Sequence, residues 1–203
     1  NEYKQQIANI FRKHGRWLTM SFLAGAVSMF TLFGVLVFFS DILEERFQMS
    51  GISKGFILAV PLLVLCASAY VTGRFIKKRS SQIKNGILLG LLLMGGFMSI
   101  LPWSHSFWFL LITLSFISLG TGFILPCLNI MITSAINMQE RGIITSLYSS
   151  VRFLGVALGP PVFGAFNQKT SPLFLTIAFA LLLTFLLCAT FIHRPQRIRG
   201  KGE

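Results

Sequence analysis

Long uncharged apolar runs alternate with short polar segments along the whole chain, and this pattern predicts six helices. A helix needs about 20 apolar residues to cross a hydrocarbon core about 30 Å thick. Six runs reach that scale: Trp17–Phe39, Gly55–Phe75, Gly86–Trp103, Phe107–Ile136, Gly142–Phe166 and Pro172–Ile192. The third is short, and the fourth is long enough to tilt or to continue past the membrane. A polar segment, residues 1–16, precedes the spans as a cytoplasmic piece, and a basic tail, residues 193–203, follows them. The expected fold class is therefore an all-α membrane protein, a bundle of six transmembrane helices spanning residues 17–192.

Composition strengthens this reading. Of 203 residues, 54% are hydrophobic and 12% charged, and the mean hydropathy is +0.73. Soluble domains carry about 25% charged residues, so the chain lacks the polar surface a soluble fold needs. The net charge of +12 could suggest nucleic acid. Its placement excludes that class, because the charges sit in blocks between apolar runs rather than along one amphipathic face. Counted on alternate sides of the six spans, fourteen Lys and Arg fall with the two termini, three fall opposite, and Arg152 alone lies inside a span. Basic loops stay in the cytoplasm, so both termini are expected there, in a cell membrane, and adding or removing one span would scramble the segregation. Trp17, Trp103 and Trp108 stand at span ends, where an amphipathic ring favours the interface. The polar start followed by a long apolar run does not have the form of a cleavable signal peptide. A start at Asn1 rather than Met is what a piece of a longer protein would show.

Candidate chemistry begins with the residues that break the apolar pattern. Arg152 lies about 15 Å into the fifth span, near the midplane. A central arginine costs about 3 kcal/mol on insertion scales and is tolerated where it faces protein or a watery cavity. Thr145, Tyr148, Ser149, Arg152, Gly155 and Gly159 recur at spacings of three and four and form one polar-to-small stripe, expected to face the bundle interior. Ile144, Leu147, Val151, Leu154 and Leu158 form the opposite face, suited to lipid or apolar packing. Gly155, Gly159 and Gly164 permit close helix approach, while Pro160 and Pro161 remove backbone donors and predict a bend. The fourth span carries Gly122, Pro126, Asn129 and Thr133 as a similar stripe. The first span offers Met29 and Phe33, adaptable contacts for an apolar ligand. Arg152, Tyr148, Ser149, Asn129, Thr133, Met29 and Phe33 are thus the candidate substrate-cavity residues.

Other functions find little support. His14, His105 and His193 lie near or beyond the span boundaries, and no pair of buried acids exists, so an intramembrane protease lacks its machinery. Cys66, Cys127 and Cys188 lie in apolar runs without ligand spacing and read as packing residues. No metal or organic cofactor is expected. Asp41, Glu44 and Glu45 cluster beyond the first span, so a membrane-embedded acid for proton coupling would have to lie elsewhere. Glu140 and Arg141 are placed to form an ion pair at the start of the fifth span.

Six spans in this topology, the basic loop Gly73, Arg74, Lys77, Lys78 and Arg79, and Glu140-Arg141-Gly142 ahead of a Gly-Pro-rich helix resemble the C-terminal half of a major facilitator superfamily transporter. The stretch 140–166 is especially similar to bacterial drug:proton antiporters, and the six spans would correspond to helices seven to twelve. Lys77 stands where the fuller loop motif has Asp. Gly155, Gly159, Pro160 and Gly164 resemble the Gly-Pro antiporter motif. The resemblance implies one half of such a fold, partnered by an N-terminal six-helix half of the same transporter and by the lipid bilayer. It implies alternating access around a central cavity, with protons as coupling ion and efflux of amphipathic drug-like or siderophore-like small molecules. A lone cavity arginine favours an apolar or weakly anionic substrate. An uptake or metabolite facilitator of the same fold, or a self-contained six-helix channel or regulatory subunit, are the alternatives.

Overall fold

The computed structural model describes residues 2–78, 82–103, 106–136, 138–165 and 170–192. Six helices run in the order α1 (Glu2–Glu45), α2 (Gly51–Lys78), α3 (Ile83–Ile100), α4 (Phe107–Ala135), α5 (Met138–Ala165) and α6 (Thr170–Phe191), with a short 3-10 turn, Leu101–Trp103, after α3. Each is long and apolar enough to cross a membrane. The apolar runs read from sequence fall inside these helices to within a residue or so at most ends.

Two boundaries differ from expectation. The polar segment is itself helical over residues 2–14, and the break before the first span falls at Gly15, with φ 64° and ψ −154°. Only glycine occupies that region readily, so Gly15 separates a polar helix from a membrane helix that would otherwise run on without a break. At its other end α1 continues past Phe39 to Glu45. Arg46 and Met49 donate back to the carbonyls of Ile42 and Leu43 at 2.9 Å, and Lys54 Nζ reaches Glu44 Oε2 at 2.8 Å, tying α1 to α2.

The helices are not equally buried. α1 lies at the centre, packing along α5 and also touching α4 and α6; α2 leans on α4, and α3 sits between α4 and α6. Of the most apolar stretch of each helix, 61% is buried in α1 but only 22% in α5 and 11% in α2. α2 and α5 therefore flank α1 and α4 with large open faces, and α3 and α6 close the back.

Small residues set the close crossings. A Cβ on Gly90 would lie 2.5 Å from the Gly120 carbonyl, and one on Gly120 would lie 2.7 Å from the Gly90 carbonyl, so α3 and α4 meet backbone to backbone. Gly122 faces Ser68 and the Leu65 carbonyl of α2, and Gly73 of α2 sits opposite Pro126. Within the stripe read on the fourth span, Gly122 and Pro126 are therefore packing positions against α2. The end of α6 is held by two cations. Lys84 Nζ donates to the Ala189 carbonyl at 2.6 Å, and Arg16 lies 5.5 Å over the Phe191 ring. A cation near the carbonyl end of a helix satisfies orphan acceptors and opposes the helix dipole.

Most polar side chains inside the spans are satisfied locally. The hydroxyls of Ser21, Thr31, Thr121, Thr133 and Thr145 donate to the carbonyl four residues back. Such back-bonding lets a hydroxyl enter an apolar helix without an interhelical partner. Cys127 and Cys188 are buried, and Cys66 is exposed on the open face of α2.

Candidate translocation site along α5

The site is built on the seam between α1 and α5. Large residues of α5 enter gaps left by glycines of α1: the Tyr148 ring lies against Gly25, and the Phe163 ring against Gly34. Conversely, small residues of α5 meet the α1 backbone. Gly155 abuts the Ala26 carbonyl, and a Cβ on Gly159 would lie 2.6 Å from the Phe30 carbonyl oxygen and 3.0 Å from the Gly34 nitrogen. Rings reinforce both ends. Tyr148 sits 5.5 Å from Phe22, and Phe163 lies 5.8 Å from Phe30 and 5.9 Å from Phe174. Tilted pairs at these separations add stabilisation beyond area burial.

The expected inward stripe is divided by this seam. Tyr148, Gly155 and Gly159 are buried in it, while Thr145, Ser149 and Arg152 lie half-buried at its edge. The opposite face divides between its two expected uses: Ile144 is buried in apolar packing, whereas Leu154 and Leu158 are exposed. Gly164 is exposed, and a Cβ there would meet nothing within 4 Å, so it makes no close helix contact among the described residues. The helix also continues through Pro160 and Pro161 to Ala165.

Arg152 places a charge at the edge of the seam. Its Cζ lies 5.7 Å from the Tyr148 ring centre and 5.6 Å from that of Phe153, within cation–π range. Its Nε is buried and without a hydrogen-bond partner, and so is the Tyr148 hydroxyl. Among the described residues no carboxylate pairs with this guanidinium. Arg152 and Tyr148 are one turn apart and share one face, as the spacing predicts.

The other candidates fall elsewhere. Met29 and Phe33 are half-buried on α1 and stay outside the hydrophobic core, which leaves them open to a further surface. Asn129 is exposed on α4. Thr133 is half-buried and its hydroxyl is spent on the Asn129 and Ile130 carbonyls, at 2.7 and 3.2 Å. In the basic motif, Arg74 donates to the Tyr70 hydroxyl at 3.1 Å on an exposed face. Lys77 and Lys78 close α2, and Arg79 lies outside the described residues. Glu140 occupies the first turn of α5, where a negative charge favours the helix dipole. Arg141 Nε is buried without a partner, so the ion pair expected with Glu140 does not satisfy it. Sequence reasoning missed Gly25 and Gly34 as the receiving side of the seam. Their signal was present as small residues in the first span, but nothing local says which helix fills the space they leave.

Six membrane-length helices, paired through glycine-faced seams around a mid-depth arginine, form a multi-pass bundle of the transporter type. The Major Facilitator Superfamily sequence profile matches residues 21–203, and the chain belongs to that family. A curated relative, the bacillibactin exporter of Bacillus subtilis (strain 168), is 40% identical over 188 residues, which is 92% of this chain and 47% of the relative. The chain thus spans about half the length of the curated relative it matches.

Proposed function

We propose that this chain acts as the C-terminal six-helix half of a secondary transporter that exports amphipathic small molecules, siderophore-like compounds among them, in exchange for protons. Arg152 carries the reading: a guanidinium at mid-depth, without a counter-ion among the described residues, on a helix that packs one face and leaves the rest open. A charge there is tolerated when it lines a path or meets a partner. The open faces of α2 and α5 supply the surface for an N-terminal half, and Arg152, Ser149, Asn129, Met29 and Phe33 would line the space between the halves. The coupling acid would come from that other half, since α1 to α6 carry no acidic residue at mid-depth. The fourteen-to-three partition of basic residues supports cytoplasmic termini, and the relative from Bacillus subtilis supports a bacterial cell membrane. The relative named for bacillibactin export supports outward transport of a compound of that kind.

The test is Arg152→Ala in a full-length transporter carrying both halves, assayed by efflux of bacillibactin from cells. Export should fall by about tenfold or more, the loss of one charge-assisted contact, with membrane insertion unchanged. Wild-type export by the variant would refute the cavity assignment. Each half expressed by itself should be inactive, and the two co-expressed should recover transport. Export by this chain in liposomes without the other half would favour a self-contained channel.

A further inference from the structure

Among the described residues, four buried side-chain nitrogen or oxygen atoms lack a hydrogen-bond partner: Ser118 Oγ, Arg141 Nε, Tyr148 Oη and Arg152 Nε. Three of the four lie on α5. At about 100° per residue, Arg141, Tyr148 and Arg152 fall within about 40° of one another around the helix, and they extend over about 16 Å of its axis. Ser118 stands apart on α4. Buried polar groups are nearly always paired. Arg141 and Arg152 are only half-buried and have no carboxylate partner among the described residues, so the outer part of each guanidinium is open to another molecule.

The chemistry of the missing group follows from the groups that wait for it. A guanidinium donates and never accepts, and it stays charged at any accessible pH. A phenol donates as well as accepts. The complement is an acceptor, and two guanidinium charges on one face call for an oxyanion. Thr145, between the two arginines, does not compete, because its hydroxyl is bonded to the Arg141 carbonyl at 2.7 Å. Beside Arg152 stands Phe153, 61% exposed, with its ring 5.6 Å from the guanidinium carbon. A flat apolar surface next to an unpaired cation suits a ligand with an aromatic body and an anionic oxygen group.

We infer that α5 carries a two-point path for aromatic anions. Arg141 forms a binding point near the end of the helix, and Arg152 with the exposed Phe153 forms a second at mid-depth, with Tyr148 packed behind Arg152 in the α1 seam. This rests on the transport reading above and narrows its substrate to anionic, oxygen-bearing aromatics; it also gives Arg141 a ligand-binding role that the loop motif does not.

The test uses the full-length, two-half protein in proteoliposomes under an imposed proton gradient, with two permanently charged fluorescent probes of matched size, 2-naphthalenesulfonate and N-methylquinolinium. The sulfonate should be concentrated and the quinolinium should not. Arg152→Gln should slow sulfonate transport by about tenfold or more, as expected for a lost charge-assisted contact, and Arg152→Lys should retain part of the rate. Arg141→Gln should raise KM severalfold with kcat near wild type. Wild-type sulfonate kinetics in both Gln variants would overturn the path. So would preferential movement of the quinolinium, which leaves the transport reading standing. Equal loss of both probes in Arg152→Gln would overturn it too, and would make Arg152 a structural partner of the other half. Movement of neither probe by the wild type would remove the transport reading and this inference together.

Discussion

Replacing Gly159 by alanine tests the α1–α5 seam directly. The added carbon would lie 2.6 Å from the Phe30 carbonyl oxygen, 3.0 Å from the Gly34 nitrogen and 3.4 Å from the Gly34 α-carbon. Non-bonded heavy atoms settle near 3.5–4.0 Å, so the two helices must part by about 0.5–1 Å. The obstructing atoms are backbone, and no side chain can swing away to absorb the strain. Separation on that scale forfeits a quarter to a half of each dispersion contact it stretches, including Tyr148 on Gly25 and Phe163 on Gly34. Overpacking of this kind costs about 1–3 kcal/mol. Alanine also favours a helix over glycine by about 1 kcal/mol, which would mask part of the effect. Gly164→Ala supplies the reference, because Gly164 is on the same helix and a Cβ there would meet nothing within 4 Å. The propensity gain cancels between the two variants and leaves the clash. The assay is thermal unfolding of the detergent-solubilised protein. Gly159→Ala should melt at least about 2 °C below Gly164→Ala, given about 2–4 °C per kcal/mol for a chain of this size. Equal melting temperatures would show that the seam is not tight at Gly159 and would undo the packing argument for the whole motif.

Two other expectations follow from single contacts. Lys84→Met should lower the melting temperature by several degrees, since the 2.6 Å bond to the Ala189 carbonyl is charged and partly buried and such bonds contribute about 1.5–3 kcal/mol; the KM for any cargo should not move. Lys54→Met should leave the melting temperature unchanged at moderate salt, because its partner Glu44 is 66% exposed and surface pairs are screened by water and ions.

Much of the architecture was legible because it depends on local quantities. Span length follows from the thickness of the hydrocarbon core, and expected orientation from the count of Lys and Arg in each loop; neither needs a neighbouring helix. Arg152 stood out for the same reason, as one charge in an uncharged run. The role of Gly15 was not read, because a glycine between polar and apolar stretches looks the same whether the backbone bends there or not. Nor could helical periodicity tell that Ile144 belongs to the packed face or that Gly164 does not. A periodic pattern gives faces relative to one another, and the helix that meets each face decides which one is buried.

By itself, then, the sequence determined six membrane helices, their alternation, the expected side of the termini and a charged residue at mid-depth. Each is a property of one segment in its solvent, water or lipid. Only the tertiary structure decided that α5 lies along α1, that Tyr148 and Phe163 enter the spaces at Gly25 and Gly34, and that Arg141, Tyr148 and Arg152 share a line of unpaired donors. Those facts depend on the register between helices distant in sequence. Lipid is as apolar as the side chains it touches, so hydrophobicity cannot select that register, and close packing of small residues must.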